Sequence, residues 1–306
     1  MIVKILGSAA GGGFPQWNCG CDNCRSLRAG TFRGKGRTQS QLAVSADGNS
    51  WFLLGASPDV RMQIEATPEL HPGAGVRHSP VSGAVLLNAD IDHVAGLLSL
   101  RELQPLRLFT TDSIRRILTE DNSMMAMLHR VAEQVQWVGI TPGTTFHLSS
   151  PSGGESELRC RALSLGVHFP AYVSQRRRQE LSDQEASLGL LIESGSGKRL
   201  AYMPAVPQIA DRLIDELDSA DVLLFDGTFW SEDELIRIQG SGQSAGQMGH
   251  VPVSTSLGQL AQLRCPRKIY IHINNTNPML NEAGAEYRQV RDAGWEIAED
   301  GWQFEL

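Results

Sequence analysis

The chain has 306 residues, of which 41% are hydrophobic, and this length allows a substantial core in one large domain or two small ones. Lysine and arginine number 27 against 34 aspartates and glutamates, a net charge of −7; a nucleic-acid partner is not expected, because phosphate binding needs concentrated positive charge. No apolar stretch approaches the roughly 18 residues of a membrane-spanning segment, and the N-terminus lacks signal-peptide features, so we expect a cytoplasmic protein without a membrane segment.

Apolar runs along the sequence predict strands that alternate with helices, without an internal repeat. The strand-like runs cover residues 2–6, 41–44, 51–54, 81–87, 160–165, 188–192, 200–202, 221–225 and 268–273. Asp47-Gly48 and the glycines within 195–197 are turn signals, so each predicts a hairpin between the runs that flank it. The run 81–87 is almost continuously apolar, which is typical of a strand buried on both faces.

Helices are predicted from about Val94, from an N-cap at Asp112 through about Glu133, and over 254–263. In the second helix the three methionines are expected to fill the core, namely Met124, Met125 and Met127. The alternation of strands and helices predicts an α/β protein in which two sheets pack together with helices outside. We expect a single domain over 1–306.

The cluster Cys19-Gly-Cys21-Asp-Asn-Cys24 is the most specific local pattern. Three thiolates this close in sequence cannot easily form disulfides with one another, but they can converge on one tetrahedral zinc, which would fasten a loop at about 17–26. Two other interpretations stay open, namely ordinary buried cysteines or a redox pair of Cys21 and Cys24. Cys160 and Cys265 stand in apolar contexts and are predicted to be core residues.

A second pattern, Asn88-Ala-Asp90-Ile-Asp92-His93-Val-Ala-Gly96, lies between a predicted buried strand and a predicted helix. α/β proteins place their sites at such carboxyl ends of strands, and two carboxylates beside an imidazole suit metal or acid–base chemistry. The alternative is that Asp90 and Asp92 only cap the helix at its positive end. His272 ends another predicted strand, where a lone histidine is more often a packed residue than a ligand.

Together these segments resemble the metallo-β-lactamase superfamily, whose pattern in this region is His-x-His-x-Asp-His. The resemblance extends to Asp226, His250 and His272, and the cysteine cluster is similar to that of phosphodiesterase members, where it holds a structural zinc. Three longer strings resemble one family of this superfamily, coenzyme PQQ synthesis protein B: Gly7-Ser-Ala-Ala-Gly-Gly-Gly-Phe-Pro-Gln-Trp-Asn-Cys19, Asn88-Ala-Asp-Ile-Asp-His93 and His272-Ile-Asn-Asn-Thr-Asn-Pro278. The resemblance implies an αββα sandwich, two mixed β-sheets packed face to face with helices outside, and a role in the biosynthesis of pyrroloquinoline quinone (PQQ).

The chain departs from the ligand pattern of the superfamily's two-metal hydrolases. The two early histidines that bind the first metal are replaced by Asn88 and Asp90, and the place of the later bridging aspartate is held by Pro204-Ala205. His168 stands near another first-metal position, without its usual partners. The resemblance therefore leaves the ligands of the second metal, which are Asp92, His93 and His272.

Two histidines and one carboxylate form the ligand set of non-haem Fe²⁺ oxygenases. The resemblance implies a precursor derived from a Glu–Tyr pair, and the expected step is oxygen-dependent hydroxylation of its tyrosine ring. We expect Fe²⁺, or adventitious Zn²⁺, in the active site and structural Zn²⁺ at the cysteines. Asp90 and His250 are expected to handle protons or orient the phenol, and Asp226 to orient the ligands.

Further residues are expected to bind substrate or complete the zinc site. A Glu–Tyr-derived substrate carries several carboxylates, and the loop Arg33-Gly-Lys35-Gly-Arg37 offers three cations, although it is also typical of a solvated loop. Asn275 matches the position of the histidine that completes the structural zinc site in the phosphodiesterase relatives. Either Asn275, a water or another side chain is therefore the fourth ligand.

Two other functions stay open at this point. The first is a non-catalytic carrier that passes PQQ or its precursor towards the periplasm, as the partner of a transporter. The second is a hydrolase that works with a single metal. Other proteins of the PQQ pathway are the macromolecular partners that the resemblance suggests, and no oligomeric state follows from the sequence.

Overall fold

The structure is a computed structural model that describes residues 1–73 and 75–306. The described strands are β1 (Ile2–Gly7), β2 (Gln41–Ser45), β3 (Trp51–Leu54), β4 (Val81–Val85), β5 (Leu106–Thr110), β6 (Val135–Gly139), β7 (Thr145–Ser149), β8 (Glu155–Gly166), β9 (Ser187–Glu193), β10 (Arg199–Met203), β11 (Val222–Asp226), β12 (Arg267–Ile271), β13 (Trp295–Ile297) and β14 (Gln303–Glu305). The α-helices are α1 (Asp22–Arg28), α2 (Val60–Glu65), α3 (Ile91–Val94), α4 (Asp112–Arg116), α5 (Gln175–Arg178), α6 (Asp211–Leu217), α7 (Glu234–Gln239), α8 (Val253–Gln259) and α9 (Ala285–Asp292).

The chain divides into two compact units. The first comprises Met1–Leu6, Gln41–Lys198 and Gly301–Leu306, and the second comprises Gly7–Ser40 and Arg199–Asp300. Among the described residues, no helix is both long enough and apolar enough to cross a membrane.

The first unit carries a seven-stranded sheet in the order β14-β1-β2-β3-β4-β5-β6. The pairs β1–β14 and β2–β3 are antiparallel, whereas β3 through β6 pair in parallel, so the sheet is mixed. The predicted hairpin of β2 and β3 is confirmed, and the Asp47 carboxylate closes its turn by accepting hydrogen bonds from the backbone of Asn49 and Ser50. Strands β7, β8 and β9 pair antiparallel in the same unit.

The second unit is built on the parallel strands β10, β11, β12 and β13. Every residue of β11 is buried, as its continuous apolar run predicts. Aromatic side chains fill the core beside it: Tyr270 stacks on Trp295 with ring centroids 4.2 Å apart, and Phe225 meets Trp295 edge-on. The carboxyl ends of β11 and β12 bring Asp226 and His272 to the same edge of this parallel set.

The long helix predicted from Asp112 to Glu133 is wrong in extent. Helix α4 begins after the N-cap Thr111, whose hydroxyl accepts from the Ile114 backbone, and it ends at Arg116 before a π-helical turn and a 3₁₀ segment. Met125 is 1% exposed, whereas Met124 and Met127 are 63% and 40% exposed. Adjacent residues on helical backbone point in different directions, so these three methionines cannot all face one core.

Candidate metal centres

The three clustered cysteines converge in the second unit. Cys21 is the N-cap of α1 and Cys24 lies one turn later, so the helix returns Cys24 towards the thiols of Cys19 and Cys21. The three sulfur atoms lie within 4.8 Å of one another; Cys24 is buried and the other two are partly exposed. Burial raises the pKa of the Cys21 thiol to about 11. Three sulfur atoms at this spacing could hold a single zinc, which would take up the thiols as thiolates.

Asn275 faces all three sulfur atoms. Its Nδ2 atom lies 3.1 Å from Cys19 Sγ, 3.7 Å from Cys21 Sγ and 3.3 Å from Cys24 Sγ. The Asn23 side chain fixes the backbone there by donating to the carbonyl oxygen of Asn275 at 3.1 Å. The two ends of an amide group are nearly equal in shape, so a half-turn of the side chain presents Oδ1, a metal ligand, to the same point. The Asn275 side chain is therefore close enough to the three sulfur atoms to be the fourth ligand, and whether it fills that role stays a prediction.

A cavity of about 620 Å³ borders the cysteine cluster. Cys19 and Cys21 contribute to its lining together with Asn275, Phe229 and Met248. A thiol-binding reagent or chelator in solvent can therefore approach Cys19 and Cys21 through this cavity, whereas Cys24 is buried.

A network of hydrogen bonds at the ends of β11 and β12 connects two histidines to one carboxylate. The Asp226 carboxylate accepts from His250 Nδ1 at 2.8 Å, and Thr228 Oγ1 lies 2.8 Å from His272 Nδ1. The rings of His250 and His272 stack with centroids 5.4 Å apart at an interplanar angle of 23°. His250 and His272 are largely buried, and Asp226 is wholly buried.

Asp226 has the environment of an orienting residue. Its Oδ1 accepts from Thr228 N at 3.0 Å and from Thr228 Oγ1 at 2.7 Å, and its Oδ2 accepts from Val206 N at 2.8 Å and from His250 at 2.8 Å. These four bonds use the four lone-pair sites of the carboxylate. Burial disfavours the charged form, but the charge of His250 and these hydrogen bonds lower the pKa of Asp226. Both carboxylate oxygens of Asp226 thus accept hydrogen bonds from protein donors. A carboxylate held in this way is suited to orient the histidine that donates to it.

His272 has an unusual backbone conformation. Its φ is 59°, in the left-handed region that few residues other than glycine adopt. Its carbonyl oxygen accepts from Thr228 Oγ1 at 2.9 Å, and the backbone of Ala10 and Ser8 pairs with the next residue, Ile273. Strained backbone of this kind persists where the surroundings hold it, and it is common at functional sites.

The acidic motif lies in the first unit, in the loop 86–90 that joins β4 to α3 and in α3 itself. Helix α3 starts at Ile91, three residues earlier than predicted, and Asp90 is its N-cap residue but makes no side-chain capping bond. His93 is 4% exposed, and its backbone is fixed by the bonds His93 N to Asp90 O at 2.9 Å and Ala56 N to His93 O at 2.7 Å. The closest polar atoms of Asp92 and His93 are 3.9 Å apart. Both can bind one ion at that separation, because such metal–ligand bonds are about 2.0–2.2 Å long.

The residues that replace the early histidines are engaged in other contacts. Asn88 is 2% exposed, and its side-chain oxygen accepts from the Asp90 backbone at 3.0 Å. The Asp90 carboxylate lies 3.3 Å from His168 Nε2. The Asp90 side chain therefore makes no capping bond but pairs with His168, the residue that the resemblance placed near another first-metal position.

The Asp90–His168 pair predicts a pH dependence. The hydrogen bond that His168 donates to the Asp90 carboxylate raises the pKa of His168, although burial acts in the opposite direction. Because the pKa is raised in the folded state, the pair stabilises the protein fully below the ordinary histidine pKa and loses that contribution as pH rises through the raised value. In an NMR titration, Asp90→Asn should return the pKa of His168 towards its ordinary value. Asp112→Asn, at an exposed aspartate paired with Arg115, should leave it unchanged; equal titration in all three proteins would contradict the assignment.

The loop Arg33-Gly-Lys35-Gly-Arg37 exposes fewer cationic side chains to solvent than its sequence predicts. Arg37 is 6% exposed and donates to the carbonyl oxygens of Ala298 and Lys35, and Lys35 forms an ion pair with Glu299. Arg33 is exposed. Since Arg37 is built into the packing of the second unit, it is not available for substrate, and the prediction that this loop binds carboxylates depends on the other two cations.

Sequence reasoning missed Thr228 and Tyr172. Thr228 is 2% exposed and contacts Asp226, His250 and His272, and the one available signal was its position two residues beyond Asp226, at the end of a predicted buried strand. Tyr172 donates through its hydroxyl to the Ala89 carbonyl oxygen at 2.6 Å, beside the acidic motif. Nothing in the local sequence around Tyr172 indicated this contact.

Comparisons with known proteins relate this architecture to one superfamily. Residues 50–273 match the family model of the β-lactamase superfamily domain. Solved structures include a diphosphatase of the PhnP family, which at 17% identity and a TM-score of 0.68 over 100% of this chain and 97% of its own shows similarity of fold. The predicted metallo-β-lactamase-like fold, with two mixed β-sheets and helices, is confirmed.

Much more similar proteins share one name. The coenzyme PQQ synthesis protein B of Methylobacterium sp. (strain 4-46) is 42% identical over 98% of both chains, and that of Nitrosococcus oceani is 41% identical over 98% of both. A crystal structure of Zn²⁺-bound PqqB from Methylobacterium extorquens covers 100% of both chains at 40% identity and a TM-score of 0.91. The chain therefore belongs to the coenzyme PQQ synthesis protein B family of the β-lactamase superfamily.

Proposed function

We propose that this chain acts in PQQ biosynthesis and hydroxylates the tyrosine ring of a Glu–Tyr-derived precursor in an oxygen-dependent reaction. The name shared by its relatives supports the pathway. The reaction class rests on one observation: Asn88 and Asp90 stand where two-metal hydrolases of this superfamily have metal-binding histidines, and both side chains are engaged in other contacts. A clamp of two metals around a scissile bond is therefore disfavoured.

The ligands that we assign to the active-site metal are Asp92, His93 and His272. Fe²⁺ held by two histidines and one carboxylate would supply the activation of dioxygen. Two of these ligands are held in place by hydrogen bonds. Two backbone hydrogen bonds fix the position of His93, and the Thr228 hydroxyl contacts both the ring and the carbonyl group of His272. The Methylobacterium extorquens relative is Zn²⁺-bound, and imidazole and carboxylate ligands of the kind that we assign here also bind zinc.

Two carboxylate–histidine pairs are suited to handle the protons of the reaction. His250 donates Nδ1–H to Asp226, so Nε2 is the basic nitrogen of the His250 ring. Asp90 keeps His168 protonated at higher pH than an isolated histidine. We assign His250 the role of accepting a proton from the phenol, and the Asp90–His168 pair the role of orienting it or returning a proton.

The test is reconstitution of the full chain with Fe²⁺ under controlled oxygen, with Glu–Tyr as substrate. One oxygen atom enters a ring C–H bond, and the other leaves as water after it receives two electrons from an added reductant such as ascorbate and two protons. We expect a product heavier by one oxygen atom, which carries label from labelled dioxygen and not from labelled water. No such product from protein that retains its iron would rule out the hydroxylase.

The same preparation separates the alternatives. A hydrolase would cleave ester or phosphodiester substrates without oxygen or iron. A carrier would bind PQQ in a stoichiometric ratio and return it unchanged.

We place the reaction in the cytoplasm, where a reducing environment keeps the clustered thiols available for zinc, and we expect other proteins of the pathway to deliver the precursor.

A further inference from the structure

The Thr228 hydroxyl is surrounded by four polar atoms of the second unit. Oγ1 lies 2.7 Å from Asp226 Oδ1, 2.9 Å from the His272 carbonyl oxygen, 2.8 Å from His272 Nδ1 and 3.1 Å from His250 Nδ1. The residue is 2% exposed. Its β-branched side chain has few χ1 choices, so this hydroxyl is held in place.

The number of available hydrogens determines which atom donates in each of the four contacts of Thr228 Oγ1. A hydroxyl has one hydrogen to donate. Two of the four neighbours, the Asp226 carboxylate and the His272 carbonyl group, can only accept, and both lie within hydrogen-bonding distance. They share the single hydrogen, so none remains for an imidazole. The hydrogen between Thr228 and His272 Nδ1 must therefore come from the ring.

The same count applies to His250. Its Nδ1 atom is closer to Asp226 Oδ2, at 2.8 Å, than to Thr228, and the carboxylate has no hydrogen to give. Both rings are thus Nδ1–H tautomers, and Nε2 is the basic nitrogen of each. Partners of this kind fix the tautomer of metal-binding histidines in many proteins and raise the basicity of the ligand atom.

We propose that Thr228 is a positioning residue: it extends the influence of Asp226 to His272, sets the Nδ1–H tautomer of that ring, and directs Nε2 to the metal. His250 is held by the carboxylate directly and His272 through the hydroxyl. The bond from Thr228 to the His272 carbonyl group also stabilises the left-handed backbone at φ 59°. The inference rests on the proposed role of His272 as a ligand, but not on the reaction that follows.

Imidazole ¹⁵N NMR of the full chain without its exchangeable metal tests this proposal. At a pH where the rings are neutral, we expect His272 to show a protonated Nδ1 and an unprotonated Nε2, with the signal assigned by its loss in His272→Gln. Thr228→Ser keeps the hydroxyl and should keep the tautomer. Thr228→Ala loses only the hydroxyl relative to serine and should release Nδ1–H, which populates the Nε2–H form.

Metal affinity provides a second readout. Titration with Co²⁺ should show binding about 10–100-fold weaker in Thr228→Ala than in the wild type, the usual cost of losing an outer partner of a ligand. Thr228→Ser should remain close to the wild type, as should the control Thr255→Ala at the exposed start of α8.

Two results would overturn the proposal. One is an Nε2–H tautomer of His272 in the wild type, which needs no variant and is independent of any folding defect. The other is unchanged tautomer and affinity in Thr228→Ala. Neither measurement includes substrate or oxygen, so a chain that fails to hydroxylate Glu–Tyr can still pass both, and the two proposals fail separately.

Discussion

Replacing His93 with alanine is expected to remove the exchangeable metal and abolish hydroxylation, while the zinc of the cysteine cluster stays bound. His93 is 4% exposed, and its backbone bonds with Asp90 and Ala56 do not depend on the ring, so the substitution should delete a ligand without unfolding α3. Loss of an outer partner alone costs about 10–100-fold in metal affinity, so loss of a ligand should cost at least about 100-fold. Metal analysis after dialysis and product formation from Glu–Tyr measure the two effects.

A matched control is His147→Ala, at an exposed histidine on β7 of the same unit, which should retain both metals and full activity. His272→Ala should behave like His93→Ala, because we assign both rings to the same ion. If His93→Ala keeps a stoichiometric exchangeable metal, the ligand assignment fails. If it loses the metal but still forms product, the metal is not required for the reaction.

The strands that the sequence predicts correctly are those whose burial is visible in a local pattern. The run that became β11 is apolar up to Asp226, the run that became β4 is interrupted only at Ser82 and Gly83, and β12 ends in the apolar residues Ile-Tyr-Ile. Asp47-Gly48 marks the turn of the hairpin between β2 and β3. The missed strands are short, three to five residues, and polar side chains interrupt them: β5, β6, β7, β13 and β14. Their pairing is decided by neighbours distant in the chain, which a local pattern does not contain.

The site shows the same limit. The acidic motif and the cysteine cluster were recognisable because several ligand types stand within a few residues of one another. Thr228 was not, since its role depends on His272, 44 residues away in the chain. Arg37 shows the converse error: the sequence supplies its charge, but not the direction of its side chain, which points into the protein to the carbonyl oxygen of Ala298.

The second large effect is expected for Cys24→Ser, which should release the zinc that we propose for the cysteine cluster and destabilise the second unit. Cys24 is wholly buried at the first turn of α1, whereas Cys19 and Cys21 border a cavity, so water cannot easily replace its sulfur atom. Binding of a structural zinc contributes about 10–16 kcal/mol in small zinc domains, so even partial coupling to folding should be measurable. A loss of about 2 kcal/mol would lower Tm by several degrees in a chain of this size.

The order of effects among neighbouring variants tests the geometry of the cluster. Cys265→Ser is the matched control, because Cys265 is also buried but lies outside the cysteine cluster and donates to the carbonyl oxygen of the nearby Arg267, and it should retain zinc and Tm. Asn275→Ala should weaken zinc binding less than Cys24→Ser, since a neutral amide oxygen is a weaker ligand than a thiolate and water can replace it. Asn275→Asp should restore binding by adding a charged oxygen at the same position. Zinc retention in Cys24→Ser equal to that in Cys265→Ser would show that the three thiols do not hold a metal, and the N-terminal loop would then owe its order to hydrogen bonds such as that of Asn23 with Asn275.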